Sequence, residues 1–315
     1  MTLTELKYLV ALAAERHFGR AAEACHVSQP TLSVAIRKLE QELGVQLFER
    51  RVAEIALTDI GERIVTQAQR VLDEASAVRE IARQGRDPLS APLRLGAIYT
   101  IGPYLLPALV RQMQKLAPHM PLLLSEDFTS RLLEMVRKGE IDVAILALPL
   151  PESGLVVQPV YDGPCVVAVP QRHAWTRRRA IASAELRKQT MLLLGSGHCF
   201  RDQVLDVCPD LMRPSGAAGG MQRTFEGSSL ETIRQMVASG IGVTVMPRTS
   251  VPERIPRQSL VAYLPFTSPI PSRRVVLAWR RSFTRTASVE VLRRAILECP
   301  LHGVEKLAAA PEPAA

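Results

Sequence analysis

The sequence contains no long apolar run and only a small, odd number of cysteines. Because no 18 consecutive apolar residues occur, a membrane-spanning helix is not expected. Glu5 and Lys7 stand where a secretory signal would be apolar, so we expect a cytosolic protein. An odd set of thiols in a reducing compartment predicts free cysteines and excludes a fixed disulfide framework. The five are Cys25, Cys165, Cys199, Cys208 and Cys299.

Length and charge limit the class of protein further. A chain of 315 residues that is 47% hydrophobic predicts about two domains with buried cores, and argues against a disordered or fibrous protein. The formal net charge is +8, yet residues 1–90 hold 12 Lys and Arg against 13 Asp and Glu. The positive surplus therefore lies in the rest of the chain, and net charge is not evidence of DNA binding by the N-terminal part.

The local pattern, in contrast, predicts a DNA-binding N-terminus. Apolar residues recur at helical spacing over residues 3–13, and a second amphipathic stretch covers Phe18–His26. Ser28 is suited to cap a third helix that runs to about Leu43, with Pro30 tolerated in its first turn. Two short helices joined by a tight turn are typical of a helix-turn-helix, whose last helix enters the major groove by its N-terminal end.

The polar side chains of this third helix, and of a predicted two-stranded wing over residues 44–58, are the candidate DNA contacts. Gln pairs with an adenine edge, hydroxyls with bases or phosphates, and Arg with phosphate or guanine. For any single residue a solvated helix face is an equal alternative, so the prediction rests on the ordered set. The candidates are Ser28, Gln29, Pro30, Thr31, Ser33, Arg37 and Lys38 on the helix, and Arg50 and Arg51 in the wing.

The same region resembles the N-terminal domain of LysR-type transcriptional regulators. The matching pattern is Phe18-x-x-Ala21-Ala22, then Ser28-Gln29-Pro30-x-Leu32-Ser33-x-x-Ile36, then Leu39-Glu40-x-x-Leu43-Gly44-x-x-Leu47-Phe48-x-Arg50. Ala53 and Glu54 depart from the family, in which these wing positions are often basic. Contacts of this wing with the DNA backbone are therefore expected to be fewer than usual.

A heptad pattern predicts a long helix after Thr58. Its apolar residues alternate in steps of four and three, which is typical of a dimerising coiled coil, and a helix packed on its own domain is the alternative. A dimer would read the two half-sites of a palindromic operator. Gly85 and two prolines then end the helix. The heptad residues are Ile64, Ala68, Val71, Ala75, Val78 and Ala82.

Beyond this point β-rich runs alternate with helical stretches, which predicts βαβ units and an open, largely parallel sheet. The arrangement resembles the two-lobed, periplasmic-binding-protein-like effector domain of LysR regulators, in which ligands sit between the lobes. The fold class is therefore α/β, with an N-terminal winged helix-turn-helix and a linker helix. The predicted order is the winged domain 1–58, a dimerising linker helix 59–84, a hinge 85–91, a two-lobed regulatory domain 92–302 and a flexible tail 303–315.

Residues 197–208 place a thiol beside an imidazole, with a second thiol nine positions on. The pKa of a free cysteine is about 8.5, so fast thiol chemistry needs neighbours that favour the thiolate. His198, Arg201 and a helix N-terminus at this point could supply that stabilisation. Buried structural thiols are an equal alternative. Zinc is disfavoured, because His198, Cys199 and Cys208 supply three ligands without an evident fourth.

The spacing of the two thiols bears on whether they can form a disulfide. If residues 200–208 are helical, Cys199 and Cys208 stand about 13 Å apart on opposite faces. A disulfide needs Cα atoms within roughly 7 Å. Forming one would therefore require local unwinding, which is the two-state element that a switch needs.

The residues around this segment resemble the peroxide-sensing branch of the LysR family. The resemblance is carried by Gly197-His198-Cys199-Phe200-Arg201-Asp202-Gln203 with Cys208, by Ser229-Leu230-Glu231-Thr232 and by Met236-Val237-Ala238-Ser239-Gly240-x-Gly242. It implies that hydrogen peroxide oxidises Cys199 to a sulfenic acid, which Cys208 resolves as a disulfide. Thr100, Thr129, His198 and Asp202 are implied to position peroxide, with capping or core hydrogen bonds the alternative for Thr100, Thr129 and Asp202.

This resemblance implies an activator of antioxidant genes that is not an enzyme and needs no cofactor. The implied partners are promoter DNA, hydrogen peroxide, RNA polymerase, a thiol reductant such as glutaredoxin, and further copies of the chain as a dimer and tetramer. Two alternatives stay open: a LysR-type regulator of a small organic effector with inert cysteines, and a thiol peroxidase that retains a DNA-binding domain. Cys25, Cys165 and Cys299 are expected to pack as small apolar residues.

Overall fold

The computed structural model of the chain describes residues 1–50, 55–83, 89–151, 154–207 and 224–307. It divides the chain into an N-terminal unit, Met1–Gly85, and a C-terminal unit, Arg86–Ala315. Among the described residues, none of the helices has both the length and the apolar character that crossing a membrane requires.

Three helices form the core of the N-terminal unit: α1 (Leu3–Glu15), α2 (Phe18–Ala24) and α3 (Gln29–Leu43). Thr2 and Glu5 form a capping box at the start of α1, so two otherwise unpaired amides are satisfied. The third helix begins after Ser28 and ends at Leu43, as its sequence predicts. Leu32, Ile36 and Leu39 of this helix are fully buried in the core of the unit, which fixes the orientation of its polar face.

A short antiparallel wing follows, made of β1 (Phe48–Arg50) and β2 (Ile55–Leu57). The positions of Arg51, Ala53 and Glu54, on which two of the wing predictions fall, lie outside the described residues. Helix α4 (Asp59–Arg83) comes next and supplies the long helix predicted after Thr58. Its heptad residue Ala68 is buried in the core of its own unit, so the first half of the heptad packs locally.

Lobe I of the C-terminal unit is built from two βα repeats and a third strand. Strand β3 pairs in parallel with both β4 and β5, and the helices cover the sheet. Because strands buried on both faces are apolar throughout, β5 is fully buried along its length. The elements are β3 (Leu93–Ile98), α5 (Gly102–Leu116), β4 (Leu122–Asp127), α6 (Thr129–Lys138) and β5 (Val143–Ala147).

Strand β6 (Leu155–Pro170) joins the two lobes. Its first part pairs with β11 of lobe I and its last residues pair with β9 and β10 of lobe II. The strand is longer than its most apolar stretch, Cys165–Pro170, because its first part contains Gln158 and Pro159, which interrupt the apolar run. The elements of lobe II and the return are β7 (Met191–Leu194), α7 (Cys199–Val207), β8 (Thr224–Gly227), α8 (Leu230–Ala238), β9 (Thr244–Pro247), β10 (Val261–Pro265), β11 (Ser272–Arg280) and α9 (Thr286–Glu298).

The prediction of a largely parallel sheet is wrong. Strands β6 and β11 run antiparallel to each other, and β11 is also antiparallel to β5. The physical reason is that the chain leaves lobe I along β6 and returns to it along β11, so the two crossing strands enter the sheet in opposite directions. Among the described strands, β3 with β4 and β5, and β7 with β8, pair in parallel.

The predicted tail begins later than residue 303. A short strand, β12 (Glu305–Lys306), pairs with β6, and Leu307 donates its amide to the Val160 carbonyl. The side chain of Arg293 on α9 donates to the Leu307 carbonyl at 2.7 Å. The chain therefore stays packed against lobe I through Leu307, and residues 308–315 of the predicted tail lie outside the described residues.

Candidate functional site

The N-terminus of α3 presents the first group of candidate residues. Gln29, Pro30 and Thr31 are exposed on its first turn. The Ser28 hydroxyl accepts the Thr31 amide at 3.3 Å and lies 2.8 Å from the Thr31 hydroxyl, so these two side chains cap the helix. Capping keeps the first turn of α3 wound and engages the side chains of Ser28 and Thr31. The side-chain amide of Gln29 is therefore the group best placed to read a base edge.

The basic residues further along α3 differ in what they contact. Arg37 is exposed, whereas Lys38 lies 3.2 Å from the carboxylate of Glu5 on α1. The hydrogen bond from Lys38 lowers the pKa of Glu5 below its ordinary value. Ser33 is only half-exposed. Lys38 therefore links α3 to α1 while its side chain stays 66% exposed, and Arg37 is the exposed cation of this helix that has no carboxylate partner among the described residues.

The wing is tied to α3 by one carboxylate. Glu40 accepts the amides of Leu47 at 2.9 Å and Phe48 at 3.3 Å. Arg50 ends strand β1, and Arg51 lies outside the described residues. The backbone of the wing is thus held at a fixed position relative to the third helix.

A second site forms where two parallel strands of lobe I end. Strands β3 and β4 are paired up to Ile98 and Asp127, so the segments that follow them leave from the same edge of the sheet. Thr100 lies in the turn after β3, and Thr129 is the first residue of α6 after β4. The register of the two strands therefore brings both predicted peroxide-positioning threonines to one edge of lobe I.

An aromatic cluster joins this edge to lobe II. The Phe128 ring packs edge-on against His198 with centroids 4.8 Å apart, and Tyr99 contacts both rings, at 5.4 Å from Phe128 and 6.0 Å from His198. Gly197 has a φ of +95°, and a Cβ there would meet the Phe128 ring at 3.3 Å. Glycine is therefore required before His198, since a side chain would be strained and would press on the ring.

Burial determines the charge state of the imidazole. His198 is only 7% exposed. Loss of hydration lowers the pKa of His198 below its ordinary value, and a hydrogen bond to the Ser228 backbone offsets part of this shift. The imidazole is therefore neutral at neutral pH, so it can donate one hydrogen bond and accept another.

Cys199 is the first residue of α7 and is half-buried. Its side chain packs against the hydrophobic core of lobe I, although its helix belongs to lobe II. Asp202 lies one turn later and is exposed. Arg201, which the sequence offered as a neighbour of the thiol, instead donates to the Leu194 carbonyl at 2.8 Å and to Glu226.

Arg273 on β11 is a site residue that sequence analysis did not identify. It is 3% exposed and donates to both the hydroxyl and the carbonyl of Thr100 at 2.9 Å. Its guanidinium lies 5.2 Å from the centre of the Phe200 ring, next to Cys199. The sequence did carry a signal: Arg273 and Arg274 stand together at the start of an apolar strand. Because successive side chains of a strand point to opposite faces, one of the two arginines must turn inward.

The hydroxyl of Thr129 at this site lacks a hydrogen-bond partner among the described residues, as does the side-chain oxygen of Gln203 on α7. The Oγ1 atom of Thr129 is buried and makes no hydrogen bond with any described residue. A buried hydroxyl without a hydrogen bond costs about 1–3 kcal/mol, so such a group requires an explanation. Thr100, in contrast, is fully engaged by Arg273. The two threonines therefore have different roles.

Two of the remaining described cysteines, Cys165 and Cys299, lie in surroundings that suppress thiol chemistry. Burial raises the pKa of Cys165 and of Cys299 to about 11. Cys299 also donates to the Ala295 carbonyl at 3.1 Å. Both pack as small apolar residues, while Cys25 is half-buried in the N-terminal unit. The described residues contain no group of three His, Cys, Asp or Glu side chains arranged to hold a metal. Cys208 lies outside them.

Comparison of the chain with known protein families agrees with these structural features. Residues 3–62 match the model of the bacterial regulatory helix-turn-helix protein, lysR family, and residues 86–299 match the LysR substrate binding domain. Together these models cover the winged unit and both lobes. The chain belongs to the LysR family of bacterial transcriptional regulators, which are DNA-binding proteins and not enzymes.

Relatives within the family are more specific. The chain is 40% identical over 310 residues to the hydrogen peroxide-inducible genes activator of Dickeya chrysanthemi, covering 98% of this chain and 99% of the relative. A full-length OxyR variant from Pseudomonas aeruginosa is 48% identical, with a TM-score of 0.71 and 99% of each chain covered. A Corynebacterium glutamicum OxyR variant with hydrogen peroxide bound is 34% identical, with a TM-score of 0.60, covering 94% of this chain and 93% of that one. Within the LysR family, its relatives are thus OxyR proteins, the hydrogen peroxide-inducible activators.

The buried imidazole generates a prediction about pH. Because burial lowers the folded-state pKa of His198, the unfolded chain takes up this proton first as the pH falls. The contribution of His198 to stability is therefore fully present above about pH 6.5 and is lost as the pH drops through the folded-state pKa. An NMR titration, with the His198 signal assigned by its loss in His198→Asn, should give a midpoint below 6.5. A midpoint at or above 6.5 would show that the imidazole is not desolvated as described.

Proposed function

We propose that this regulator senses hydrogen peroxide through Cys199 and Cys208 and activates antioxidant genes in response. The observation that carries the proposal is the buried, unpartnered hydroxyl of Thr129 at the edge where His198 and the start of α7 meet lobe I. Peroxide is a small molecule that both donates and accepts hydrogen bonds. A free hydroxyl, a neutral imidazole and a half-buried thiol suit such a ligand.

The proposed chemistry uses the two thiols as electron donors. The Cys199 thiolate attacks one oxygen of hydrogen peroxide, an S–O bond forms, the O–O bond breaks, and the departing hydroxide takes up a proton to give water. The sulfenic acid then condenses with the Cys208 thiol, which gives the disulfide and a second water. Thr129 and His198 are proposed to orient peroxide, and Thr100 is proposed to act together with Arg273. Asp202, in the first turn of α7, is proposed to support the departing proton.

Helix α7 supplies the conformational part of the proposal. Val207, the residue before Cys208, ends a nine-residue helix, so its Cα lies about 12 Å from that of Cys199. Adjacent Cα atoms are about 3.8 Å apart, and a disulfide needs Cα atoms within about 7 Å. The disulfide therefore requires α7 to unwind at least in part, and this change is the switch we propose.

Unwinding of α7 would change the packing of both lobes, because α7 contacts each of them. Phe200 and Val204 are buried in the core of lobe II. Gln203 donates to the Leu148 carbonyl of lobe I at 2.7 Å. A helix held in this way cannot change its winding without changing contacts in each lobe.

The DNA-binding part of the proposal rests on α3 and α4. We propose that Gln29, Thr31, Ser33 and Arg37 face the major groove, with Ser28 and Pro30 shaping the first turn, Lys38 bracing it, and Arg50 and Arg51 near the DNA backbone. The second half of the α4 heptad supports a dimer, since Val71 and Val78 are 36% and 66% exposed and stand seven residues apart.

The proposed function also implies further partners. A tetramer on promoter DNA, contact with RNA polymerase, and reset by a thiol reductant such as glutaredoxin accord with a reversible disulfide in a transcription factor. We place the protein in the cytoplasm, where bacterial promoter DNA and reducing conditions coexist. Cys165 and Cys299, with raised pKa values, are not proposed to react.

The test of this proposal is the disulfide. Reduced full-length protein exposed to roughly equimolar hydrogen peroxide should form a Cys199–Cys208 linkage, measured by peptide mass spectrometry and reversed by dithiothreitol. Cys199→Ser should abolish the linkage because it removes the attacking sulfur, whereas Cys165→Ser, the matched control, should leave it intact. Thiols that stay free in the wild-type protein would overturn the proposal and favour a regulator of a small organic effector.

The Thr129 hydroxyl gives a separate prediction. Thr129→Val keeps the shape of the side chain and removes a hydroxyl that bonds no described residue, so thermal stability should not fall. Oxidation of Cys199 should slow about two- to tenfold, because the variant loses one hydrogen bond to peroxide, which contributes about 0.5–1.5 kcal/mol. The rate of thiol loss after mixing with peroxide measures this effect.

Thr286→Val on α9 is the control for that experiment, since Thr286 is exposed and begins another helix of lobe I. Its oxidation rate should match that of the wild type. An unchanged rate in Thr129→Val would remove Thr129 from the proposed peroxide site.

A further inference from the structure

The positive charge of this chain is not where a DNA-binding helix would place it. Residues 1–90 carry slightly more acidic than basic side chains, while residues 91–315 carry 27 Lys and Arg against 18 Asp and Glu. The site around Cys199 does not account for this surplus, because Arg273 and Arg201 are engaged within the protein. The remaining cations therefore call for another explanation.

Much of the surplus is concentrated in one segment of lobe II, residues 171–189, which we call the basic loop. It holds one carboxylate, Glu185, and six exposed cationic side chains. At physiological salt, charges are screened over about 8 Å, so cations on so short a segment repel one another. The six are Arg172, Arg177, Arg178, Arg179, Arg187 and Lys188.

The basic loop is closed on itself by polar contacts. The His173 ring lies 3.3 Å from the Gln189 side-chain oxygen, so the two ends of the loop meet and bring Arg172 near Lys188. In the middle, Arg178 pairs with Glu185, which joins the two 3₁₀ turns of the loop, Ala174–Arg177 and Ser183–Lys188. The cations are thus gathered on a compact frame.

The frame is anchored in the core of lobe II. Trp175, Ile181 and Leu186 are buried there at 8%, 0% and 0% exposure, and the His173 ring packs edge-on against Trp175 at 5.0 Å. Ordered apolar anchors of this kind hold the surrounding charges in place. A partner that binds them then has less conformational entropy to overcome.

We infer that the basic loop binds the phosphate backbone of duplex DNA flanking the site read by α3. Arg172, Arg177 and Arg179 are exposed and have no carboxylate partner among the described residues, in contrast to Arg178. Guanidinium groups bind phosphate oxygens in pairs, and each contact releases counterions from the duplex. A duplex would also relieve the repulsion within the loop.

DNA is favoured over an acidic protein surface by proximity. In a LysR-family regulator the N-terminal unit binds the duplex, which puts a continuous polyanion at high effective concentration around the rest of the same chain. An acidic protein that is not itself held on this DNA would have no such advantage. The basic loop thus adds affinity without sequence preference, and α3 supplies the specificity.

The salt dependence of DNA binding by the full-length chain tests this inference. Binding to a fluorescent duplex of random sequence is measured by anisotropy between 50 and 200 mM NaCl, a range in which phosphate contacts dominate the salt effect. Arg172→Gln, Arg177→Gln and Arg179→Gln are combined in one variant. If each arginine contacts a phosphate, the slope of log K against log salt should fall in magnitude by about 0.9 per contact, or about 2.7 per chain.

A matched variant separates contact from overall charge. Arg137→Gln, Arg281→Gln and Arg294→Gln remove three exposed arginines from lobe I, and their slope should stay at the wild-type value. Both variants should fold and should still form the peroxide-induced disulfide, which checks their integrity. Equal slopes for the two variants, whether both reduced or both unchanged, would overturn the inference. In the unchanged case, an acidic protein becomes the better partner for the loop.

Discussion

Helix α7 is held by both lobes of the C-terminal unit, and the proposed redox switch depends on that double attachment. Phe200 is buried beneath the guanidinium of Arg273, which itself holds Thr100. Gln203 donates across to the Leu148 carbonyl, and Cys199 packs on the core of lobe I. Cys199, the thiol proposed to react, is therefore the first residue of a helix that both lobes stabilise in its wound form.

The magnitudes suggest how such a helix can switch and then reset. Full burial of a side chain such as Phe200 is worth about 1.5–3 kcal/mol, and one hydrogen bond such as that of Gln203 about 0.5–1.5 kcal/mol. The exposed pair of Arg201 and Glu226 adds at most about 1 kcal/mol. Every 1.4 kcal/mol lost on unwinding makes a disulfide about 30 mV easier to reduce. In the proposed mechanism, the packing that keeps the reduced helix wound therefore also makes the disulfide easier to reduce.

Sequence reasoning succeeded where a local pattern decides the structure, as at the Ser28 cap, at Pro30 and at the end of α3 at Leu43. It failed where long-range contacts decide. The direction of β6 depends on where the chain crosses between lobes, and the opposite environments of Arg273 and Arg274, one on Thr100 and the other on Asp162, depend on which face of β11 is covered. The unpartnered hydroxyl of Thr129 is a property of the folded site alone.

Hydrogen exchange of the amides of residues 203–207 shows whether α7 unwinds on oxidation, because these amides bond within α7 only while it is wound. We expect protection in the reduced protein and its loss once peroxide has formed the Cys199–Cys208 disulfide, with α5 protected throughout. If α7 stays protected in protein shown to carry that disulfide, the thiols have joined without unwinding the helix, and α7 is not the switch.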